Sequence, residues 1–360
     1  MPVKIGIDAR MIKSSGIGRV IENVLKYIIS RNKNWNFILL GKKDEFKQYD
    51  FSRAENVRII ECRSSIYSCL EQIELYRKIP KEVDAFWSPH YNIPLLYKGK
   101  LIVTIHDVFH LEMLHGFKNI HKKMYAKFLF YCISKKADRI ICVSQFTAKQ
   151  LQKHINIRED KINVIYNGID ERWFHVKKRK RPYLKKYILY VGNIKPHKNL
   201  LRLLRAFQLI KEKAPYDLIL VGKKDGFITE DKEIKQLAMY EKRVVFTGYV
   251  SDSMLEQYFI HADVFVFPSL YEGFGLPPLE ALACGCPVVA SNIESIIEVC
   301  KENVVYFDPY EVNDIADKLL LLLTNRRRKT RKHAMEIIDF KWIEKVKIYE
   351  SIIKNTIQVD

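Results

Sequence analysis

The sequence predicts an α/β protein with two doubly wound parallel sheets. A chain of 360 residues is too long to fold around a single ordinary hydrophobic core. Short apolar runs alternate with helical stretches along its length, which is typical of parallel sheets covered by helices. A basic tract followed by Pro182 interrupts the alternation near the middle. We therefore expect an N-terminal domain over 1–176, a linker at 177–184, a second domain over 185–338 and a last helical segment over 339–360.

The predicted strands are apolar runs short enough to be buried on both faces of a parallel sheet. In the first domain they lie at 4–7, 37–40, 57–60, 85–87, 101–105, 140–143 and 162–166, and in the second at 187–191, 217–221, 243–247, 263–267, 288–291 and 304–307. Ligands of doubly wound sheets bind beyond the carboxyl ends of the strands. The loops that follow strands are therefore the first candidates for a functional site.

One such loop holds two carboxylates. Glu272 and Glu280 lie eight positions apart, and Gly273 and Gly275 between them permit backbone conformations closed to other residues. Two prolines at 277 and 278 suit a first helical turn, so a helix should begin near Pro277. Its unpaired N–H groups favour a phosphate or a sugar hydroxyl. Alone, Glu280 would be a carboxylate stabilised by the helix dipole and Glu272 a solvated loop residue, but together with the glycines they indicate a ligand site.

A second glycine loop carries a lysine. Lys198 follows Gly192 by six residues and precedes a helical stretch that contains Leu200, Leu203 and Leu204. A cation near a helix N-terminus gains nothing from the helix dipole, so its position suggests a bound anion nearby. The alternative is a solvated surface lysine. Against a diphosphate oxygen at ~4 Å, one positive charge is worth about 4 kcal/mol at an effective dielectric of 20.

Together these segments resemble retaining glycosyltransferases of family 4, which have the GT-B fold of two Rossmann-like domains facing each other across a cleft. The matching segments, in order, are Gly16-Ile17-Gly18-Arg19, Ile105-His106-Asp107, Val143-Ser144, Val164-Ile165-Tyr166-Asn167-Gly168, Gly192 to Leu200, Phe246-Thr247-Gly248-Tyr249-Val250, and Glu272-x7-Glu280 with the following Ala-Cys-Gly-Cys-Pro-Val-Val-Ala-Ser. The resemblance covers nearly the whole chain. It also implies that the last helix, over 339–360, packs back on the first domain.

The resemblance implies transfer of a sugar from a nucleotide diphosphate donor, with retention at the anomeric carbon. It assigns three residues to catalysis, Glu272, His106 and Lys198. It assigns the donor to Glu280, Gly273, Phe274, Gly275, Leu276, Asn193, Gly192, Gly248, Tyr249 and Val250, and the acceptor side to Gly16 and Gly18, in a loop that follows the first strand, and to Asp107. On the residues alone, a His-Asp pair at a strand end could equally be structural. No clustered Asp-x-Asp accompanies the glycine loops, which predicts a reaction without a metal ion, and no cofactor is expected.

Many family members carry an arginine just after the first glycine of the lysine loop, where this chain has Asn193. Lys195 or His197 could supply part of the missing charge, or the loop could rely on its backbone amides. The segment 193–199 resembles the branch that includes bacterial mannosyl- and rhamnosyltransferases of surface polysaccharides such as lipopolysaccharide. This branch favours GDP-mannose as donor and a lipid-diphosphate-linked glycan as acceptor. A glucose, rhamnose or N-acetylhexosamine donor, or a sugar-nucleotide epimerase of the same fold, stays open.

The formal net charge of +19 predicts an anionic partner. The chain has no recognisable nucleic-acid-binding motif, so we do not expect nucleic acid. An anionic membrane surface fits better, and the segment from Phe117 to Lys136 places aromatic residues and lysines at helical spacing. The alternative for that segment is an ordinary surface helix, and for the whole chain a basic membrane or nucleic-acid binding module without enzymatic activity.

Two further classes of protein are disfavoured. A Gly-x-Gly-x-x-Gly loop with an acidic residue about 20 positions later is absent after the first strand, which argues against a dinucleotide-dependent dehydrogenase. A same-fold glycan phosphorylase would need a pyridoxal-binding lysine that we cannot identify. The start of the chain lacks a signal-peptide pattern, and the seven cysteines, an odd number, fit a reducing compartment. We expect a cytoplasmic enzyme, attached peripherally to the inner face of the plasma membrane.

Overall fold

The computed structural model describes residues 2–112, 120–222, 234, 241–324 and 340–358. The chain divides into two compact units, each built around one parallel sheet. The first unit contains Met1–Gly168 and Phe340–Asp360, and the second contains Ile169–Asp339. Both sheets have helices packed on them, which confirms the predicted fold class.

The first unit has a seven-stranded sheet in the order β3-β2-β1-β4-β5-β6-β7. Its strands are β1 (Lys4–Asp8), β2 (Asn36–Gly41), β3 (Val57–Glu61), β4 (Ala85–Ser88), β5 (Leu101–Ile105), β6 (Arg139–Cys142) and β7 (Ile162–Val164). All neighbours pair in parallel. The helices are α1 (Ser15–Arg31), α2 (Lys43–Phe46), α3 (Cys69–Lys78), α4 (Phe109–Glu112), α5 (Ile120–Lys136) and α6 (Gln145–His154).

The second unit has a six-stranded parallel sheet in the order β10-β9-β8-β11-β12-β13. Its strands are β8 (Tyr187–Val191), β9 (Asp217–Val221), β10 (Val244–Gly248), β11 (Val264–Phe267), β12 (Val288–Ser291) and β13 (Val305–Phe307). Its described helices are α7 (Leu200–Ile210), α8 (Asp252–His261), α9 (Leu276–Ala283), α10 (Glu294–Cys300) and α11 (Val312–Thr324). The strand order places β8 beside β11, so the loops after these two strands leave the same edge of the sheet.

The thirteen predicted strands are confirmed, with ends displaced by at most two residues. They could be predicted because buried parallel strands are nearly continuous apolar runs. Strand β9, for example, is buried at every position, and β11 likewise.

The unit boundary lies between Gly168 and Ile169, earlier than the predicted linker at 177–184. The basic tract instead packs on α8 of the second unit, because the backbone N–H of Arg179 donates to the side chain of Gln257 at 2.8 Å. Upstream, the ring of Trp173 packs edge-on against Phe259, with centroids 5.7 Å apart. The basic tract is therefore a surface segment of the second unit and not a spacer between the two units.

The last helix, α12 (Trp342–Gln358), packs on the first unit although it follows the second in sequence. Its Trp342, Val346 and Tyr349 side chains belong to the core around β1 and α1. Glu350 accepts hydrogen bonds from Arg31 at 2.7 Å and Asn32 at 2.9 Å. In the described part of the chain, no helix is both long enough and apolar enough to cross a bilayer.

The predicted glycine loop after β1 is helical in the structure, since α1 begins at Ser15 and includes Gly16 and Gly18. At Gly18 an added Cβ would lie 2.4 Å from the carbonyl oxygen of Ile12, so the missing side chain allows close backbone contact.

A pair of alanine variants tests this contact. Gly18→Ala should destabilise the first unit or displace the start of α1, because the blocking atom is backbone and cannot rotate away. Gly16→Ala should be tolerated or slightly stabilising, because nothing lies within 4 Å of its added Cβ. Thermal unfolding of both variants, read with acceptor-dependent activity, checks the prediction, and equal behaviour of the two variants would contradict it.

Candidate active site

Two glycine loops meet at the carboxyl edge of the second sheet. One follows β8 and ends in a short 3-10 turn, Pro196–Lys198, and the other follows β11 and leads into α9. The backbone N–H of Leu270 donates to the carbonyl of His197 at 2.7 Å and so ties the loops together. The strand order brings the lysine loop and the acidic loop into contact.

Lys198 and Glu272 form an ion pair across these loops. The Lys198 Nζ lies 2.5 Å from Oε1 of Glu272, and their side chains are 20% and 15% exposed. The ammonium also lies 5.7 Å from the centre of the Phe267 ring. The anion that we expected near Lys198 is therefore, in this structure, the carboxylate of Glu272. An ammonium has three donors, so Lys198 can keep Glu272 and still donate to a ligand oxygen.

Asn199 fixes the geometry of the lysine. Its backbone is left-handed, with φ of 57°, a conformation that asparagine tolerates better than most residues. Its buried side chain donates to the carbonyl of Pro309 at 2.7 Å and accepts from Arg202 at 3.0 Å. These bonds end the 3-10 turn, and α7 starts immediately after Asn199.

The acidic loop reaches its helix through Gly275, whose φ is 102°. An added Cβ there would lie 2.3 Å from Cδ1 of Ile296, so the loop requires glycine for both conformation and space. The helix begins at Leu276, one residue before the expected start, and Phe274 is buried beside it. Glu280 is the fifth residue of α9 and only 4% exposed. It therefore lies just after the first turn of the helix, and its carboxylate is buried.

Three glycines line the edge next to the lysine loop, at the ends of β8, β9 and β10. An added Cβ at Gly222 would lie 2.1 Å from the carbonyl oxygen of Gly192, and the Gly222 N–H donates to Gly248 at 3.1 Å. Gly248 has φ of 76° and is followed by Tyr249, whose side chain is 74% exposed, and Val250. The Asn193 carbonyl accepts from the hydroxyl of Tyr190 at 3.2 Å.

Lys223 and Lys224, which follow Gly222, lie outside the described residues. Within the described residues, no group of three or more His, Cys, Asp or Glu side chains is placed to hold a metal ion.

In the first unit, His106 and Asp107 follow β5. The His106 Nε2 lies 2.8 Å from the carbonyl oxygen of Pro89, and because a carbonyl only accepts, this nitrogen carries the proton. Burial lowers the pKa of the His106 ring, so the ring is neutral and its Nδ1 is left as a hydrogen-bond acceptor. Asp107 accepts from the backbone N–H of Phe109 at 3.0 Å and starts the short helix α4.

A buried charged network at the carboxyl edge of the first sheet was missed by the sequence analysis. Arg10 donates to both carboxylate oxygens of Asp8, at 2.8 and 2.6 Å, and to Glu71 at 3.0 Å. Asn92 donates to Glu71 at 2.7 Å, and Nε2 of His90 lies 3.2 Å from Asp8. All the ionisable side chains of this network are almost fully buried. The sequence did contain a signal for this network, because two charged residues, Asp8 and Arg10, follow the buried run at 4–7.

The network adjoins the residue that holds His106. His90 follows Pro89, whose carbonyl accepts from His106, and Ser88 donates its hydroxyl to the His90 carbonyl at 3.0 Å. Burial alone would raise the pKa of Asp8, but Arg10 and His90 outweigh burial and hold this pKa well below its usual range. The Asp8–Arg10 pair therefore stays charged, and its contact with His90 lies next to the segment that positions His106.

Both units of the chain match models of known protein families. The family model described as Glycosyltransferase Family 4 matches residues 14–173, and the model described as Glycosyl transferases group 1 matches residues 171–337. The chain is 32% identical to the O-antigen chain mannosyltransferase RfbU of Salmonella typhimurium over 61% of this chain and 59% of that protein. It is 29% identical to the O-antigen chain mannosyltransferase B of Escherichia coli over 71% and 70% of the two chains. The chain thus matches less than two thirds of the length of RfbU.

Solved structures agree at the level of the fold. Sucrose-phosphate synthase from Thermosynechococcus elongatus matches with a TM-score of 0.76 and 18% identity over 98% of each chain. HepE from Anabaena, in complex with UDP and glucose, matches with a TM-score of 0.74 and 18% identity over 98% of this chain and 100% of that one. These matches confirm the GT-B fold class.

Proposed function

Since this chain belongs to the glycosyltransferases of family 4 and group 1, we propose that it transfers a hexose, with retention, from a nucleotide diphosphate sugar to a hydroxyl of a lipid-linked surface glycan. One observation carries the proposal: the contact between Lys198 and Glu272 where two glycine loops meet at the carboxyl edge of a parallel sheet. Doubly wound sheets bind their ligands at this edge.

Mannose from GDP-mannose is the favoured donor. The O-antigen mannosyltransferases named above support it, together with the resemblance of segment 193–199 to that branch. Glucose, rhamnose or N-acetylhexosamine donors are the alternatives within the same reaction. Glu280 is assigned to the ribose hydroxyls, and the glycine loops around Gly192, Gly248 and Gly275 to the nucleotide and the diphosphate.

In the proposed reaction the bond from the anomeric carbon to the diphosphate oxygen breaks, and a bond to the acceptor oxygen forms. Negative charge grows on the departing diphosphate. Lys198 stabilises this charge at close range, where an oriented cation is worth far more than in water. Because its ammonium is already held by Glu272, little reorganisation is needed when the charge develops.

Retention is assigned to departure and attack on the same face of the sugar. The acceptor hydroxyl gives its proton to the leaving diphosphate oxygen, so no separate general base is required. Glu272 then binds and orients the donor sugar instead of forming a covalent intermediate. By the family resemblance His106 is assigned to the donor sugar, and a neutral imidazole that accepts through Nδ1 suits a sugar hydroxyl. No metal ion or cofactor is part of this scheme.

The acceptor is assigned to the first unit, near the start of α1 at Gly16 and Gly18 and near Asp107. An acceptor carried on a lipid diphosphate would bring the enzyme to the cytoplasmic face of the plasma membrane, and the net charge of +19 favours an anionic surface there. Nucleic acid has no part in this proposal.

The proposal is tested by a transfer assay with purified full-length protein, a lipid-diphosphate-linked acceptor and a chelator. GDP-mannose, UDP-glucose, dTDP-rhamnose and UDP-N-acetylglucosamine are offered separately, and the anomeric configuration of the product is read by NMR. We expect transfer from GDP-mannose with the donor's configuration kept. An inverted product would overturn the retaining scheme, and activity restored only by added magnesium would overturn metal independence.

A further inference from the structure

Helix α5 of the first unit presents apolar side chains on two opposite faces. Ala126, Leu129 and Ile133 are buried and lie on the face that joins the core. On the opposite face, Met124 and Phe128 are 63% and 50% exposed, and Tyr131 is 56% exposed. These three follow one another at spacings of four and three residues, so they form one stripe along the helix. Burial in the core of the unit explains why the first face is apolar. It does not explain the apolar side chains on the second face.

Helix α3 repeats the pattern. Leu75 is buried, while Leu70, Ile73 and Tyr76 are 68%, 47% and 60% exposed. Spacings of three residues again place the exposed side chains together on the helix surface. A large exposed apolar face on a soluble protein usually marks an interaction site.

The two helices flank the same connecting segment. Gln72 of α3 donates to the carbonyl of Ile93 at 3.2 Å and accepts from the N–H of Leu95 at 2.8 Å. On the other side, the ring of Tyr91 stacks on Phe130 of α5, with centroids 5.1 Å apart. Leu96 of this segment is itself 51% exposed. We call the exposed residues of α3 and α5, with Leu96, the two-helix surface.

The charge around this surface is positive. Helix α5 contains five lysines and no acidic residue, and Lys127 and Lys135 are exposed beside the apolar stripe. The ammonium of Lys135 lies 5.7 Å from the ring centre of Tyr131. Arg77 is exposed on α3, and Lys98 is exposed beside Leu96. The Phe117 and Lys118 that the sequence analysis grouped with α5 lie outside the described residues.

From this combination we infer that the two-helix surface is a docking site for an anionic lipid bilayer. Aliphatic side chains and aromatic rings that are flanked by lysines match the boundary between acyl chains and anionic headgroups. A second copy of this chain fits poorly, because a symmetric contact would bring the α5 lysines of both copies together. The inference extends the proposed function by naming the surface that meets the membrane, and its test does not depend on sugar transfer.

The test is co-flotation of the full chain with vesicles of phosphatidylcholine alone or of phosphatidylcholine mixed with phosphatidylglycerol. We expect binding to the mixed vesicles, weakened by salt, and little binding to the neutral ones. The triple variant Met124→Ser, Phe128→Ser, Tyr131→Ser should lower the partition coefficient by about tenfold or more. Lys127→Glu with Lys135→Glu should lower binding to the mixed vesicles and remove its salt dependence.

The matched control is Leu321→Ser with Ile348→Ser, which removes exposed apolar side chains from α11 and α12 and should leave flotation unchanged. Unchanged thermal unfolding of each variant shows that it is folded. Equal flotation of the triple variant and the control would overturn the inference. A different outcome would assign the surface to a second copy of the chain. In that case light scattering shows a dimer for the wild type and a monomer for the triple variant, and neither protein floats with vesicles. GDP stabilisation, measured in parallel, reports on the donor site and separates failure of this inference from failure of the proposed function.

Discussion

Replacing Lys198 with alanine should lower turnover by about 10²–10³-fold and weaken nucleoside diphosphate binding much less. The lysine is expected to act mainly on charge that develops as the diphosphate leaves, because its ammonium is already paired with Glu272 in the absence of ligand. Turnover is measured at saturating donor, and nucleotide affinity by calorimetry. Unchanged turnover would remove Lys198 from the site.

Two further variants sharpen this prediction. Lys213→Ala removes an exposed lysine of the same unit and should leave turnover unchanged. Lys198→Arg keeps the charge but replaces a compact ammonium with a planar guanidinium. Activity between that of wild type and Lys198→Ala would assign the effect to charge at that position. If Lys198→Arg were as inactive as alanine, the fit of the ammonium between Glu272 and the ligand would be decisive.

Arg10→Met should destabilise the first unit by about 3–5 kcal/mol. The substitution leaves Asp8 and Glu71 buried together without their common cation, and both carboxylates have fully buried side chains. In a unit of this size each kcal/mol lowers the unfolding midpoint by about 2–4 °C. Tryptophan fluorescence reports mainly on this unit, since Trp173 is the only one of the four tryptophans in the second unit.

Arg63→Met is the matched control for Arg10→Met. Arg63 also pairs with a carboxylate of the first unit, Glu61 at 3.1 Å, but its side chain is 82% exposed. Surface pairs of this kind contribute about 0–1 kcal/mol. Equal midpoints for Arg10→Met and Arg63→Met would contradict the account of the buried network.

The network also predicts how stability depends on pH. The pKa of Asp8 in the folded protein is depressed below its unfolded value, so its stabilising contribution is present above the unfolded pKa. It is lost as the pH falls through the folded pKa. Arg10→Met should reduce this loss in acid, because the cation that depresses the pKa of Asp8 is then absent.

The strands and the glycine loops of the second unit could be predicted because their signals are local. Apolar runs and the glycines at 273 and 275 each act within a few residues. The pairing of Lys198 with Glu272 could not be predicted in the same way. It depends on β11 lying beside β8, a crossover that the sequence pattern does not specify.

The buried network of the first unit could not be predicted for the same reason, since it also depends on contacts between residues far apart in sequence. Asp8 is close to Arg10 in sequence, but Glu71 of α3 reaches Arg10 only through folding, across 61 positions of sequence. Gly18 was expected in a loop from the family resemblance, whereas the structure places it in α1 against the backbone of Ile12.

Thermal unfolding in a chelator, with GDP, UDP, dTDP and NAD at equal concentration, tests the central claim most directly. A ligand at 100 times its dissociation constant stabilises the folded state by about 2.7 kcal/mol. We expect one nucleoside diphosphate, GDP first, to raise the unfolding midpoint while NAD does not, and we expect Glu280→Gln to reduce that shift. Stabilisation by NAD, or by none of the nucleoside diphosphates, would contradict a nucleotide-sugar site in the second unit.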